Sequence, residues 1–235
     1  MHWKRIPRTS ALLAIFFIAA VFTIPAAHWM KTKLDLSAER PDPITASPRE
    51  TIAILSTVLE REQFSGLPPP PPVPGEHSPP TANQPLILVD RSLCLGEKPD
   101  GVCGSVRTDS VLIPEFDAFA SRKFRTELML ANRAAQKLDL RGIPNTTISS
   151  HKVIERIFDG SASGPDDAWL SFYRTFPHSA GFAVVSNPVI SVNGRQALIY
   201  VIHYCGPLCG SGTLHLLIRS GTSWRIEKKE VLWVS

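Results

Sequence analysis

The stretch HYCGPLCGSGT, residues 203–213, concentrates the residue types best suited to chemistry in this chain. Cys205 and Cys209 are separated by three residues, His203 stands two positions upstream, and Gly206, Pro207, Gly210 and Gly212 surround the pair. Three chemistries compete for such a constellation. A redox centre uses C-x-x-C at a helix N-terminus, where the helix dipole lowers one thiol's pKa. Here the spacing is C-x-x-x-C, in a loop between two strand-like runs with no helix behind it. A structural zinc needs four ligands. Cys94 and Cys103 could be recruited to complete a set, but neither spacing matches a zinc knuckle, and exported thiols oxidise. Strand alternation puts His203 on the face of Ile199 and Val201, as a hydrogen-bonded core histidine. A disulfide between Cys205 and Cys209 is therefore expected. Cys94 and Cys103, which flank LGEKPDGV, are expected to form a second.

The other candidates are thinner. There is no G-x-S-x-G, and GSGT at 210–213 lacks the lysine and the following helix of a phosphate loop. His151, His178 and Asp159, Asp166 or Asp167 could join Cys205 in a Cys-His-Asp array, although nothing in their spacing requires it. Asp166 and Asp167 open a predicted helix, where carboxylates complement the dipole. Asn145-Thr146-Thr147 matches a glycosylation sequon, which a bacterial source would leave idle. No catalytic, cofactor-binding or metal-ligating residue is expected. The alternative is a thiol-dependent hydrolase or oxidoreductase using Cys205 with His203.

The compartment assumed for these cysteines follows from the N-terminus. Lys4, Arg5 and Arg8 precede an uncharged apolar run, and Ala11 to Met30 counts 20 residues. That matches the roughly 20 residues a helix needs to span a bilayer core. Cleavage after Ala27 would place Pro25 at the minus-three position, a poor match to a signal-peptidase site. The reading is an uncleaved signal anchor over 1–30, holding the chain in the inner membrane through residues 11–30 with its basic end inside. The rest is then periplasmic, or secreted if the signal is cleaved. Taking those three cations from the 25 basic residues leaves 22 against 21 acidic ones. The basic pI thus belongs to the targeting segment, and nucleic acid is not an expected partner.

The elements that must position the hairpin come next. Residues 31–46 lack apolar periodicity and read as a tether. In SPRE, Ser47 is the N-cap, Pro48 the first helical residue and Glu50 the capping-box partner. Ile52, Leu55, Val58 and Leu59 then share a face, with a helix end expected near Gly66. A proline-rich run follows over 67–84, stiff and solvated, as a surface loop or spacer. Strands are expected in PLILVDRSL (85–93) and SVLIP (110–114). A long helix is expected from Pro114, with Phe116, Ala120, Phe124, Leu128, Ala131, Ala135 and Leu138 on one stripe. TTISSHKVIERIF (146–158) fits either a strand or a short helix, and DDAWLSFYRTF (166–176) a helix. The last 55 residues hold four strand-like runs joined by NGR, CGPLCGSG and SGT. The expected fold is α+β: a membrane helix, then helices packed on a C-terminal four-stranded antiparallel meander, with 47–235 as one domain.

The order W-x-x-F-Y…FPHSAG, QALIYV, CGPLCGSG, LLIRSGTSWRI and a closing LWVS resembles an uncharacterised family of bacterial exported proteins and lipoproteins. The resemblance covers residues 166–235 well and 48–63 and 85–92 more weakly. It implies that the proline run is an insertion within the domain. This chain departs from the family in that insertion and in having no lipidated cysteine. The family has no assigned activity, so the resemblance carries no site residues. The functional expectation is a membrane-tethered extracytoplasmic envelope module, binding or structural in role, with an envelope protein or glycan as partner and no cofactor.

Overall fold

The computed structural model describes residues 44–62, 84–95, 118–159 and 164–235. Residues 43–235 form one compact unit. Its centre is a seven-stranded mixed sheet: β1 Leu86–Val89, β2 Thr146–Ser149, β3 Phe182–Val185, β4 Val189–Ile190, β5 Gln196–Gly206, β6 Cys209–Ser220 and β7 Ser223–Val234, in the order β2-β1-β3-β5-β6-β7, with β4 also on β5. Among the described residues, four helices accompany it: α1 Pro48–Glu62, α2 Arg122–Ala131, α3 His151–Asp159 and α4 Pro165–Thr175.

The expected antiparallel meander exists as β3/β4-β5-β6-β7, but it is only part of the sheet. β1 pairs parallel with both β2 and β3, so the four-stranded expectation is corrected to seven strands, three of them mutually parallel. The reason lies in β1: LILV is buried at every position, as suits a strand covered on both faces at the centre of a parallel triplet.

β5 is central too. Ala197, Ile199 and Val201 face one core, where α1 supplies Ile54, Leu55, Val58 and Leu59 and β1 supplies Leu86 and Leu88. Leu198, Tyr200 and Ile202 face the other, with Phe124 and Leu128 of α2 and Leu214 and Leu216 of β6. A third cluster joins Ile87, Val89 and Phe182 to Ile154 of α3 and to Trp169, Phe172 and Tyr173 of α4. Leu217, which breaks the alternation of β6, reaches the α1 core beside Trp224 because both faces are covered there.

The capping box forms as expected: Glu50 N–H donates to Ser47 Oγ at 3.3 Å and Ser47 N–H to Glu50 Oε2 at 3.4 Å. α1 and β1 flank the proline run and share one core; residues 63–83 lie outside the described set. Residues 44–46, expected as the end of the tether, already pair with β4 through the Thr45–Val189 bridge and Ala46 N–H to Pro188 O.

The long helix expected from Pro114 is corrected to α2, ten residues capped by Ser121, whose Oγ accepts from Phe124 N–H. Phe116 and the SVLIP strand fall outside the described residues. The helix stops where Asn132, fully buried, turns its amide to Leu128 O and to Asn187 N and O at 2.7–3.0 Å. Beyond it the backbone pairs with the end of β1 instead, Ser92 N–H reaching Gln136 O and Leu138 N–H reaching Asp90 O. Ala135 is therefore exposed, and Leu138 packs in the α1 core. Apolar spacing outruns a helix when a side chain satisfies its last carbonyls. The ambiguous 146–158 stretch is both: strand β2, then helix α3.

Candidate functional site

β5 and β6 meet at a two-residue turn, Pro207-Leu208, with Gly206 opposite Cys209 and a bulge between Tyr204 and Gly206. Cys205 and Cys209 form a disulfide across this turn, with Cα atoms 5.0 Å apart. Cys205 is buried and its sulfur is committed. Cys94 is also disulfide-bonded, whereas Cys103 lies outside the described residues.

His203 does not address the sulfur as a base. Its Nε2 lies 2.7 Å from Ala180 O, in the turn between α4 and β3. Burial lowers its pKa to about 4, against a smaller upward pull from that bond. It is neutral near pH 7, so Nε2 carries the proton and donates. This is the core histidine expected from alternation.

The register separates the other members of the hypothetical array. Phe182 pairs with both Ile87 and Tyr204, which sets Cys205 level with the N-terminal end of β1. His151 stands beyond the C-terminal end of β1, where Asp90 Oδ1 accepts its backbone N–H at 2.9 Å and faces Nδ1 at 3.3 Å. Desolvation raises the Asp90 pKa, and the two His151 contacts more than offset it, leaving the carboxyl below its ordinary range. Asp90 thus serves as an N-terminal cap for α3, supplied from another strand. His178 sits exposed in the turn after α4 with φ 60°. Asp159 ends α3, and Asp166 and Asp167 open α4, all exposed. Among the described residues no group of three or more His, Cys, Asp or Glu is placed to hold a metal ion.

The sequence reading missed what the glycines of CGSG do. Gly212 lies against the edge of the Trp233 indole and the Tyr200 hydroxyl, and a Cβ there would overlap both. A Cβ on Gly210 would meet Ser235 Oγ at 2.7 Å and the Tyr204 and Trp233 rings at 3.2 and 3.3 Å. Trp233 Nε1 donates to Tyr200 Oη at 2.6 Å, and the Trp233 and Tyr204 rings are 5.9 Å apart. The closing tryptophan and the glycine loop are one packed unit. The signal was available in their joint presence, but only the β6–β7 register brings Gly212 opposite Trp233.

One cavity of about 520 Å³ opens on the α2 side of the sheet, floored by Phe119, Phe124 and Leu216 and rimmed by Lys123, Glu127 and Lys228. Charges of both signs share its rim, and Lys228 Nζ already donates to Ala118 O at 2.6 Å. Its two serine hydroxyls are engaged locally, Ser121 as the cap of α2 and Ser191 donating to Asn193 Oδ1 at 2.8 Å.

Compared with known proteins, the chain matches no family model, no curated protein and no solved structure.

Proposed function

We propose that this chain is a membrane-tethered extracytoplasmic module of the bacterial envelope whose role is binding or structural, without a cofactor. The observation that carries the proposal is the Cys205–Cys209 disulfide at the tip of the β5–β6 hairpin. Disulfides persist outside the reducing cytosol, and this one closes a turn while removing both thiols that His203 stands near in sequence. The 20-residue apolar run behind a basic head supplies the route to that compartment and a means of staying at its boundary. No charged or nucleophilic cluster of the described residues asks for a reaction. With the targeting cations set aside, the near-balance of charge favours an envelope protein or glycan partner over nucleic acid.

Membranes from cells making the full chain are extracted under thiol-blocking conditions. All four cysteines should resist alkylation until dithiothreitol is added, and the membrane-bound protein should retain Met1. A freely alkylated Cys205 in freshly prepared protein would overturn the proposal in favour of thiol chemistry. An N-terminus at His28 would remove the tether while leaving the exported module.

A further inference from the structure

The end of the sheet at the β5–β6 hairpin is unusual in its surface chemistry. Residues 203–213 and 231–235 contain no Asp, Glu, Lys or Arg, and the register places them side by side: Ser211 opposite Val234, Gly212 opposite Trp233 and Thr213 opposite Val231. This uncharged end carries exposed apolar side chains, Leu208 at 86 %, Val234 at 76 % and Val231 at 47 %. Along β7, charge resumes at Glu230, Lys229 and Lys228. Trp233 and Tyr204 are half-buried beside the tip, apolar bodies with a polar atom each, a type of side chain that favours the boundary between lipid and water. The tip is also rigid. The disulfide closes it, Ser235 N–H donates to Gly210 O at 2.9 Å, and Tyr173 Oη donates to Cys205 O at 2.9 Å. A leucine at an unpinned loop tip could fold back onto the domain; Leu208 is held out in solvent.

We propose that this hairpin end is a lipid-docking surface, seating Leu208, Val231 and Val234 in the interface of the bilayer that anchors the chain. The inference rests on the membrane tether of the preceding reading. The length of chain before the domain makes it feasible. The chain joins β4 at residues 44–46, level with Ala197–Leu198 near the start of β5. From Ala197 to Cys205 is about 27 Å along the strand at roughly 3.4 Å per residue. The 13 residues 31–43 can span up to roughly 45 Å. The hairpin end can therefore reach the membrane surface without strain on the tether. Without a cation at the tip, the surface suits zwitterionic lipid as well as anionic lipid. Three exposed side chains fall far short of the roughly 800 Å² per partner of a stable dimer, which argues against a second copy as occupant. They suffice for weak contact when a tether holds the surfaces at high effective concentration. Insertion is shallow, since the backbone at the exposed turn needs water or a partner.

The test uses the full chain, one copy per nanodisc, in phosphatidylcholine with brominated acyl chains, and reads tryptophan quenching. Trp3 and Trp29 report on the anchor, Trp169 and Trp224 are buried in the domain, and Trp233 reports on the tip. The wild type should show a quenched component that Leu208→Asp/Val234→Asp loses, while the anchor component stays unchanged. Both substitutions fall on exposed positions, so the fold is kept, and a Trp233→Phe variant assigns the lost component. Equal quenching in wild type and Leu208→Asp/Val234→Asp, with the anchor still quenched, would overturn lipid docking and leave the tether standing. No quenching of any tryptophan would instead remove the tether reading. A tip component seen only with two or more copies per disc would assign the surface to self-association and also overturn the proposal.

Discussion

Trp233 and Tyr200, 33 residues apart on β7 and β5, are joined by an indole N–H to hydroxyl bond of 2.6 Å that passes over Gly212 of the strand between them. Burial pushes the Tyr200 pKa up to about 12, with the Trp233 bond pulling the other way. The hydroxyl therefore stays protonated and is satisfied by the indole. A glycine in a strand interior costs conformational entropy unless another group approaches closely; here an indole does.

Gly212→Ala should be among the more damaging single-methyl additions in the domain. Its Cβ would overlap Trp233 Nε1 and Tyr200 Oη, so either the bond breaks or β7 shifts, at a cost of about 1–3 kcal/mol. Gly181→Ala should cost at least as much, because its φ of +92° is combined with a collision against Tyr204 O. Gly142→Ala is the control: φ is +91° but no atom lies within 4 Å of the added carbon. Urea midpoints should rank the two crowded sites below the control, and a Gly212→Ala midpoint equal to wild type would refute the packing.

Removing the hairpin disulfide should weaken the fold without abolishing it. The chain-entropy treatment gives a five-residue loop about 2 kcal/mol, and the β5–β6 ladder holds the strands together independently. Cys205→Ala/Cys209→Ala should therefore unfold cooperatively at lower urea, with an unchanged slope. If the disulfide were instead a redox centre, wild-type protein would catalyse the reduction of insulin disulfides by added dithiothreitol, and it should not accelerate that reaction.

The sequence made the C-terminal part of this architecture legible for identifiable reasons. Asn193-Gly194 and Ser220-Gly221 mark the turns, with φ of +69° and +61° at the glycines, and joints this short between strand-like runs call for the antiparallel neighbours that β5, β6 and β7 are. Ser47 and Glu50 announced α1. The parallel strands were harder to read. Four residues each of LILV and TTIS carry too little alternation to reveal direction, and their pairing depends on partners about 60 residues away. The end of α2 was hidden because Asn132 acts through contacts with Asn187 rather than through local propensity. At the hairpin, the staple could be read from spacing and compartment. The aromatic seat under the glycines could not, because it exists only once β7 returns.

Acid should destabilise the domain through two buried histidines. Burial lowers His203 to about 4, and burial together with Lys229 lowers His215 to about 3, against roughly 6.5 in the unfolded chain. Both therefore bind protons more readily when unfolded. Their contribution is complete above pH 6.5 and is lost as pH falls towards 4, at up to roughly 1.4 kcal/mol per pH unit for each group. Urea midpoints should be flat from pH 7 to 8 and fall between pH 6 and 4. His203→Gln, which retains a donor for Ala180 O, should flatten part of that slope; an identical slope in the variant would show that His203 contributes nothing.

Glu50 joins two structures at one carboxylate. It closes the capping box on Ser47 and accepts Arg219 Nη2 at 2.6 Å, while Arg219 Nε donates to Gly194 O at 2.8 Å and its guanidinium lies 4.3 Å over the Trp224 ring. The N-terminus of α1, the β4–β5 turn and the β6–β7 hairpin thus meet at Arg219. Hydrogen bonding to Arg219, opposed by desolvation, lowers the Glu50 pKa. Its contribution is therefore present above about pH 4.5 and is lost as pH falls below that. The pair is about one-third exposed, which limits the ionic part to roughly 0.2–1 kcal/mol. The cap contributes about 1 kcal/mol more. Glu50→Ala should consequently cost more than Glu50→Gln, which keeps a capping acceptor and loses only charge. Arg219→Lys should fall short of wild type because lysine cannot span two acceptors and stack on Trp224 at once. A double-mutant cycle between Glu50 and Arg219 should give a coupling that shrinks in 1 M salt; a salt-insensitive coupling would mean that the contact acts through packing alone.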